Sequence, residues 1–290
     1  MRAFPAQYDL VSPGSLGAVL AALQDDPGKW LPIAGGTEIM VLYSAGKLPQ
    51  RNLVNLWNLP ELRQIRVEKD TLGIGGGCSF SQIRSHPVIS AEFPLLAQAA
   101  AWIGGIANQN RATLAGNLAN ASPAADSPPA LLAYEAEIEL ISTRGSRRIP
   151  YKDFHLGYKR TALVPDELIY ALHLPRRFAG RHSYARKVGT RNAQAISKVC
   201  IAAQAKIADG RIETIRIGMG SIAPIPLQLV EVEQVLAGCP ADCLPVSECL
   251  RLMSAAIAPI DDIRSTREYR GHVAANLLQE CLQTLAGGAA

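Results

Sequence analysis

Two glycine-bearing stretches decide the fold of this chain, and they read Pro32-Ile33-Ala34-Gly35-Gly36-Thr37-Glu38 and Thr113-Leu114-Ala115-Gly116-Asn117-Leu118-Ala119-Asn120-Ala121-Ser122-Pro123-Ala124-Ala125-Asp126. Such a stretch can turn backbone N–H groups toward an anion, because glycine adopts positive φ and allows close approach. Two of them can hold the two halves of one diphosphate. The pattern predicts a dinucleotide site made by two separate loops, although either stretch alone is equally typical of a plain turn.

The composition is that of a folded protein with two or three modest domains. The chain has 290 residues, of which 48% are hydrophobic and 19% are charged. A net charge of +4, without basic runs interleaved with aromatic residues, argues against a nucleic-acid partner. The sequence contains no apolar run of about 18 residues, and Met1-Arg2-Ala3-Phe4-Pro5 lacks a signal core. We therefore expect a cytoplasmic protein without a membrane span.

The hydrophobic pattern predicts an α+β chain in two domains. The first domain covers 1–176 and contains two small α/β subdomains, about 1–56 and 57–176. The second domain, 177–290, is predicted as a three-stranded sheet with helices. Strands are expected at 30–34, 51–56, 72–77, 136–142, 147–150, 167–175, 183–188, 198–207 and 214–219. Helices are expected at 15–24, 39–43, 80–83, 95–103, 229–236, 246–256 and 268–285.

Several common cofactor motifs are absent from the sequence. Gly73-Ile74-Gly75-Gly76-Gly77-Cys78 lacks the last glycine and the long helix of a dinucleotide fingerprint, and no Gly-Lys-Ser/Thr of a P-loop occurs. Of the six cysteines, Cys239, Cys243 and Cys249 lie close together in sequence, but their spacing matches no common zinc or iron–sulfur pattern. We predict no metal site in this chain.

The order of these motifs resembles the flavin-binding, or medium, subunit of the molybdenum hydroxylases, the xanthine dehydrogenase and carbon monoxide dehydrogenase family. The two glycine stretches match its two FAD loops. Segments 166–169, 184–189 and 262–266 follow in family-like order, so the resemblance covers essentially the whole chain. It implies an FAD-binding domain of the PCMH/VAO type, followed by a C-terminal domain like that of the CO dehydrogenase flavoprotein.

The resemblance also implies a role for individual residues. The backbone of Ala34, Gly35, Gly36 and Thr37 would surround the FAD diphosphate, with Ile33 and Glu38 beside it. Thr113, Gly116, Asn117 and Asn120 would hold the phosphates and ribityl chain from the other side. Asp126 would bind the ribityl or the ring-proximal end of the cofactor, Ile169 would pack near the isoalloxazine ring, and Lys187 would lie near the ring's polar edge. Ile103 falls where mammalian relatives carry an aromatic residue near the flavin.

Simpler interpretations exist for two of these residues. Asp126 precedes Ser127-Pro128-Pro129 and could only cap a helix. Lys187 could be a solvated lysine on a strand. The sequence leaves both alternatives open.

The resemblance implies that the chain carries FAD and needs partner subunits. A large subunit would hold molybdopterin and hydroxylate the substrate, and a small subunit would hold two [2Fe–2S] clusters. The three subunits together would form a dimer of heterotrimers. This chain would take electrons from those clusters and reduce a soluble acceptor. The sequence does not distinguish whether that acceptor is NAD, oxygen, a quinone or a ferredoxin. The alternatives are a stand-alone flavin oxidase of the vanillyl-alcohol-oxidase type and a cofactor-free scaffold with the same fold. The family branch with a cysteine-bearing cluster loop is disfavoured, because 117–160 contain no cysteine.

Overall fold

The computed structural model describes residues 4–287. The parts of the predictions that concern 1–3 and 288–290, including the start of the N-terminal segment and the end of the second domain, lie outside the described residues.

The first unit is a small parallel sheet with a helix packed on it. Its elements are β1 (Asp9–Val11), α1 (Leu16–Asp25), β2 (Trp30–Ile33), α2 (Ile39–Ser44) and β3 (Asn52–Asn55). The strand order is β1-β3-β2. The Ser15 hydroxyl accepts a 3.2 Å hydrogen bond from the Ala18 N–H and caps α1, as the sequence predicts. Because parallel strands end at one edge, the segments after β2 and β3 emerge side by side.

The second unit is an antiparallel five-stranded sheet packed against short helices. Its strands are β4 (Ile65–Val67), β5 (Thr71–Gly75), β6 (Glu137–Ser142), β7 (Gly145–Pro150) and β10 (Leu168–Pro175), in the order β4-β5-β10-β6-β7, and a small hairpin of β8 (His155–Gly157) and β9 (Arg160–Thr161) lies before β10. The helices are α3 (Phe80–Ser85), α4 (Pro87–Glu92), α5 (Pro94–Trp102), α6 (Ile106–Arg111), α7 (Leu114–Ala119) and α8 (Pro128–Ala133). Ile138 and Leu140 of β6 are fully buried, which confirms the alternating pattern that predicted this strand.

The third unit is an antiparallel sheet followed by helices. It contains β11 (His182–Val188), β12 (Val199–Ala208), β13 (Arg211–Gly220), β14 (Leu227–Gln228), α9 (Val230–Leu236), α10 (Val246–Ala256) and α11 (Arg267–Gly287). The three predicted strands are present, and β14 adds a short fourth strand beside β13. Asp209 and Gly210, with φ of +50° and +69°, form the tight turn between β12 and β13 that the sequence predicts.

Helix α8 lies directly on the third unit's sheet. A Cβ on Gly218 of β13 would stand 2.4 Å from the carbonyl oxygen of Pro129, so only glycine permits this contact. Gln204 of β12 donates a 3.0 Å hydrogen bond from Nε2 to the carbonyl of Ala133. These contacts hold the segment before α8, which carries Asp126, against the third unit.

Among residues 4–287, no helix combines the length and the apolar character needed to cross a membrane. The cytoplasmic location stays a prediction. Within the same residues, no group of three or more His, Cys, Asp or Glu side chains is arranged to hold a metal ion.

Candidate functional site

The two glycine stretches lie side by side in the folded chain. A Cβ on Gly35 would stand 1.8 Å from the carbonyl oxygen of Arg111 and 2.4 Å from its carbonyl carbon. Gly35 therefore packs its bare Cα against the backbone that leads directly into Thr113. The side chain that is missing at Gly35 is what lets the two stretches meet, as the sequence predicts.

The first stretch presents a row of free backbone donors. Gly36 has φ of +75°, which turns the chain between β2 and α2. Within residues 4–287, the N–H groups of Gly35, Gly36, Thr37 and Glu38 donate to no protein acceptor. Unpaired N–H groups in such a turn bind anionic oxygens well. This stretch therefore fits the diphosphate of FAD, and Ile33 and Ala34 lead into it from β2.

The second stretch is built differently, because the backbone amides at the start of its helix are already bonded. Its residues Leu114–Ala119 form helix α7, and the N–H groups of Leu114 and Ala115 donate 3.1 Å hydrogen bonds to the carbonyls of Cys78 and Gly76, respectively. The Gly116 N–H donates at 3.1 Å to Oγ1 of the N-cap residue. The carbonyls of the loop that contains Gly76 thus accept hydrogen bonds from the first N–H groups of α7. The amides of Leu114, Ala115 and Gly116 are therefore not open to an anion, and the cofactor contacts of the second stretch stay a prediction.

Side chains supply the polar groups of the second stretch. Lys159 Nζ donates to both the backbone oxygen and Oδ1 of Asn120, at 2.7 and 2.8 Å. Because an ammonium group only donates, these contacts orient the Asn120 amide and leave its Nδ2 available. Asn117 Oδ1 accepts a 2.7 Å hydrogen bond from the Ser127 hydroxyl. Lys159 and Ser127 thus hold the two asparagine amides in place.

Gly116 contributes through its lack of a side chain. A Cβ there would stand 2.9 Å from Thr113 Oγ1, closer than side-chain carbons normally approach. Thr113 is 2% exposed, and its hydroxyl is the N-cap acceptor of α7. The pair therefore shapes the start of α7, and Gly116 leaves its outer surface open.

Asp126 and Lys187 form a buried ion pair across two units of the fold. Lys187 Nζ lies 2.6 Å from Asp126 Oδ2, and the two side chains are 10% and 8% exposed. The Ser197 hydroxyl donates at 2.5 Å to the other carboxylate oxygen. Burial raises the pKa of the Asp126 carboxyl, against Lys187 and Ser197, which lower it. Neither simpler interpretation holds, since Lys187 is not solvated and Asp126 makes no helix cap.

Two backbone contacts locate the segments that carry the predicted apolar residues Ile103 and Ile169. Lys187 Nζ also donates at 3.1 Å to the carbonyl of Trp102, the residue before Ile103. Ile169 is 6% exposed, and a Cβ on Gly76 would stand 2.4 Å from its carbonyl oxygen and 2.9 Å from the Ala115 side chain. The fold thus brings the Ile169 backbone close to Ala115 of the second stretch, and it brings the Trp102 carbonyl, one residue before Ile103, to Lys187.

Sequence reasoning missed Ser197, Ser127 and Lys159. Ser127 directly follows Asp126 and could have been found as part of the same polar segment. Lys159 sits in the turn between β8 and β9 with φ of +56°, and no motif marks it. Ser197 precedes β12, and only the tertiary contact with Asp126 gives it a role.

Comparison with known proteins gives matches over nearly the whole chain. Residues 6–177 match the family model described as the FAD binding domain in molybdopterin dehydrogenase, and residues 184–285 match the CO dehydrogenase flavoprotein C-terminal domain. The xanthine dehydrogenase FAD-binding subunit of Escherichia coli O157:H7 is 30% identical over 263 residues, which is 89% of each chain.

Two relatives extend the similarity to carbon monoxide dehydrogenases. The carbon monoxide dehydrogenase medium chain of Afipia carboxidovorans is 26% identical over 279 residues, 96% of each chain. A solved carbon monoxide dehydrogenase from Hydrogenophaga pseudoflava, which lacks the Mo-pyranopterin moiety, contains a chain with a TM-score of 0.92 and 26% identity, covering 99% of both chains. The similarity includes the order of all three units.

Proposed function

Because this chain belongs to the family of FAD-binding subunits of molybdenum hydroxylases, we propose an electron-transfer function for it. It would take electrons from [2Fe–2S] clusters of a partner subunit and deliver them to a soluble acceptor. Family membership makes the chain a subunit of an FAD-dependent oxidoreductase. Bound flavin supplies the chemistry of accepting electrons singly and releasing them as a pair. The protein's part is to hold, orient and shield that group.

The proposed diphosphate contacts come from the first stretch. The free N–H groups of Gly35, Gly36, Thr37 and Glu38 would donate to the diphosphate oxygens, and hydrogen bonds to charged groups are worth roughly 1.5–3 kcal/mol each. Thr113, Gly116, Asn117 and Asn120 would line the opposite side. Their contribution would come from side-chain amides and an open surface, because the early backbone amides of α7 are already bonded.

The ring end is proposed to lie by the buried ion pair. Asp126 would accept from the ribityl chain or the ring edge, and Lys187 would place a positive charge near the ring's polar edge. Ile169 and Ile103 would supply apolar contacts. An isoleucine at 103 offers dispersion contact without aromatic stacking.

We also propose the partners and the domain division. The subunits would be a large molybdopterin-binding chain and a small chain with two [2Fe–2S] clusters, in a dimer of heterotrimers. The names of the relatives support this, since "medium chain" implies larger and smaller companions. A boundary at 176/177 is supported by Pro175, which ends β10, and by family matches that stop at 177 and restart at 184.

The observation that carries the cofactor proposal is the row of unpaired N–H groups packed against the backbone before Thr113. The test is to express the chain alone, titrate it with FAD and record the flavin absorption bands. We expect a yellow complex with one FAD per chain. A colourless protein that does not bind FAD would contradict the proposal and favour the cofactor-free scaffold alternative.

The electron-transfer proposal has a separate test. The chain alone should oxidise no N-heterocycle or aldehyde, whereas isolation from its native host should bring two other chains with molybdenum and iron. Turnover of such a substrate by the isolated single chain would contradict the proposal and favour the oxidase alternative.

A further inference from the structure

Trp57 carries two arginine side chains on its ring. The guanidinium carbon of Arg111 lies 3.9 Å from the centre of the Trp57 ring, and that of Arg63 lies 4.4 Å from it. The Trp57 backbone is fixed in turn, because its N–H donates at 2.9 Å to Asn55 Oδ1. A guanidinium over an indole face is a favourable arrangement, but two cations at one ring repel each other.

No carboxylate of the described residues forms an ion pair with either of these two guanidinium groups. Neither Arg63 nor Arg111 forms an ion pair within residues 4–287, and buried Nε of Arg63 has no hydrogen-bond partner there. Glu61, two residues before Arg63, pairs with neither arginine and leaves its own buried Oε2 without a partner. Elsewhere in the second unit, Arg144, Arg147 and Arg176 each pair with a carboxylate. The Trp57 cluster is therefore a local excess of positive charge.

This cluster lies at the edge where the free amides are. Trp57 follows β3, whose partner β2 leads into Gly35, and the Leu56 N–H donates at 2.8 Å to the Ile33 carbonyl. Arg111 touches the first stretch through its own backbone, since its carbonyl is the group against which Gly35 packs. The residue whose backbone packs against Gly35 is therefore the same one whose guanidinium lies on Trp57.

We propose that Arg111, held on Trp57, is a further FAD-binding residue that supplies positive charge to the diphosphate. The inference rests on the proposed function, because it assigns a ligand group to the same site. Backbone amides alone bring no net charge to a diphosphate, and a bidentate guanidinium matches phosphate oxygens in shape. Trp57 keeps the long side chain in place and reduces the entropy lost on binding.

The test measures binding, and it separates phosphate contacts from ring contacts. Kd is measured by fluorescence titration for FAD, ADP and riboflavin with the full chain, with Arg111→Gln, and with Arg111→Lys. Arg251→Gln is the matched control, because within residues 4–287 the ion pair of this exposed arginine is with Glu248 on its own helix α10. We expect Arg111→Gln to weaken FAD and ADP binding by roughly tenfold to a hundredfold and to leave riboflavin binding unchanged.

Two further results are expected on the same proposal. Raising the salt concentration should weaken FAD binding less in Arg111→Gln than in the unmodified chain, because one screened charge contact is gone. Arg111→Lys should keep that salt dependence and bind FAD with intermediate strength, since charge remains and the planar contact is lost. The control should behave as the unmodified chain in every titration.

Unchanged FAD and ADP binding in Arg111→Gln would overturn the inference, and so would an equal loss for FAD and riboflavin, which would indicate a general distortion. Failure of the unmodified chain to bind FAD would instead refute the proposed function. If Arg111→Gln fails to fold by circular dichroism, Arg111→Lys and its ADP titration decide the question.

Discussion

Lys187 Nζ on β11 lies 2.6 Å from Asp126 Oδ2 at the end of the second glycine stretch, and this ion pair joins the C-terminal sheet to the candidate cofactor site. Both partners are almost completely buried, and Ser197 and the Trp102 carbonyl complete their hydrogen bonds. A buried pair of this kind is a poor source of net stability, but removing one partner leaves the other charge uncompensated. The pair therefore sets the relative position of two units.

Replacing Lys187 should destabilise the chain strongly. Lys187→Met leaves the Asp126 carboxylate buried without its counter-ion, at a cost of about 3–5 kcal/mol in the free energy of unfolding. Urea denaturation measures the effect. The double variant Lys187→Met with Asp126→Asn should regain part of the loss, because the uncompensated charge is removed.

Lys206→Met is the matched control for that prediction. Lys206 on β12 pairs with Glu213, but both side chains are about half exposed, so we expect a change of about 0–1 kcal/mol. Equal destabilisation by the Lys187 and Lys206 variants would contradict the structural role of the buried pair.

Gly35→Ala should separate the two glycine stretches. The added Cβ would stand 1.8 Å from the Arg111 carbonyl oxygen. Because both groups belong to the backbone, the clash is relieved only if the two segments move apart. We expect loss of FAD binding in a titration. Gly17→Ala, on α1 with nothing within 4 Å of the new Cβ, should keep FAD binding and stabilise the helix by roughly 0.5–1 kcal/mol. Normal flavin affinity in Gly35→Ala would show that the contact is not needed.

The stability of the chain should fall between pH 6.5 and about 4 because of His155. Burial lowers the pKa of this imidazole from its ordinary 6.5 to about 4, and its Nε2 lies 2.9 Å from the Tyr151 hydroxyl. The folded chain keeps the ring neutral, whereas the unfolded chain takes up a proton below pH 6.5. The stabilisation is therefore complete above pH 6.5 and is lost on acidification, by at most about 3 kcal/mol.

Urea denaturation at several pH values checks this expectation. His155→Gln should give a shallower fall in stability over that range, whereas His182→Gln, at an exposed position on β11, should keep the slope of the unmodified chain. An unchanged slope in His155→Gln would assign the acid sensitivity to other groups.

Arg270 should hold the turn before α11. This arginine is 3% exposed, and it donates to Asp262 Oδ1 at 2.9 Å and to the carbonyls of Lys198 and Ser221 at 2.5 and 3.3 Å. Arg270→Met should cost about 3–5 kcal/mol in the free energy of unfolding.

Hydrogen exchange provides a second measurement for Arg270→Met, with faster exchange expected in 262–266. Arg267→Met is its control on the same helix, since the exposed Arg267–Asp261 pair should contribute less than about 1 kcal/mol. A similar effect of both variants would argue against a special role for Arg270.

Much of the fold was accessible from local sequence. The Ser15 cap, the alternation in β6 and the turn at Asp209-Gly210 depend on residues a few positions apart, so their signals are complete within a short window. Local sequence does not show that the amides at the start of the helix in the second glycine stretch are already bonded. The acceptors for its amides are the carbonyls of Gly76 and Cys78, which come from a distant part of the chain.

The residue order alone determined the α+β class, the family and the positions of the glycines in turns and close contacts. Turns, helix caps and periodicity are local properties, so a short window of sequence contains their signals. Tertiary structure alone decided how those places work together. Gly35 meets Arg111, Lys187 meets Asp126, and Arg111 rests on Trp57, and each contact joins segments far apart in sequence. Such contacts depend on how packed units lie against each other, and no local pattern encodes that arrangement.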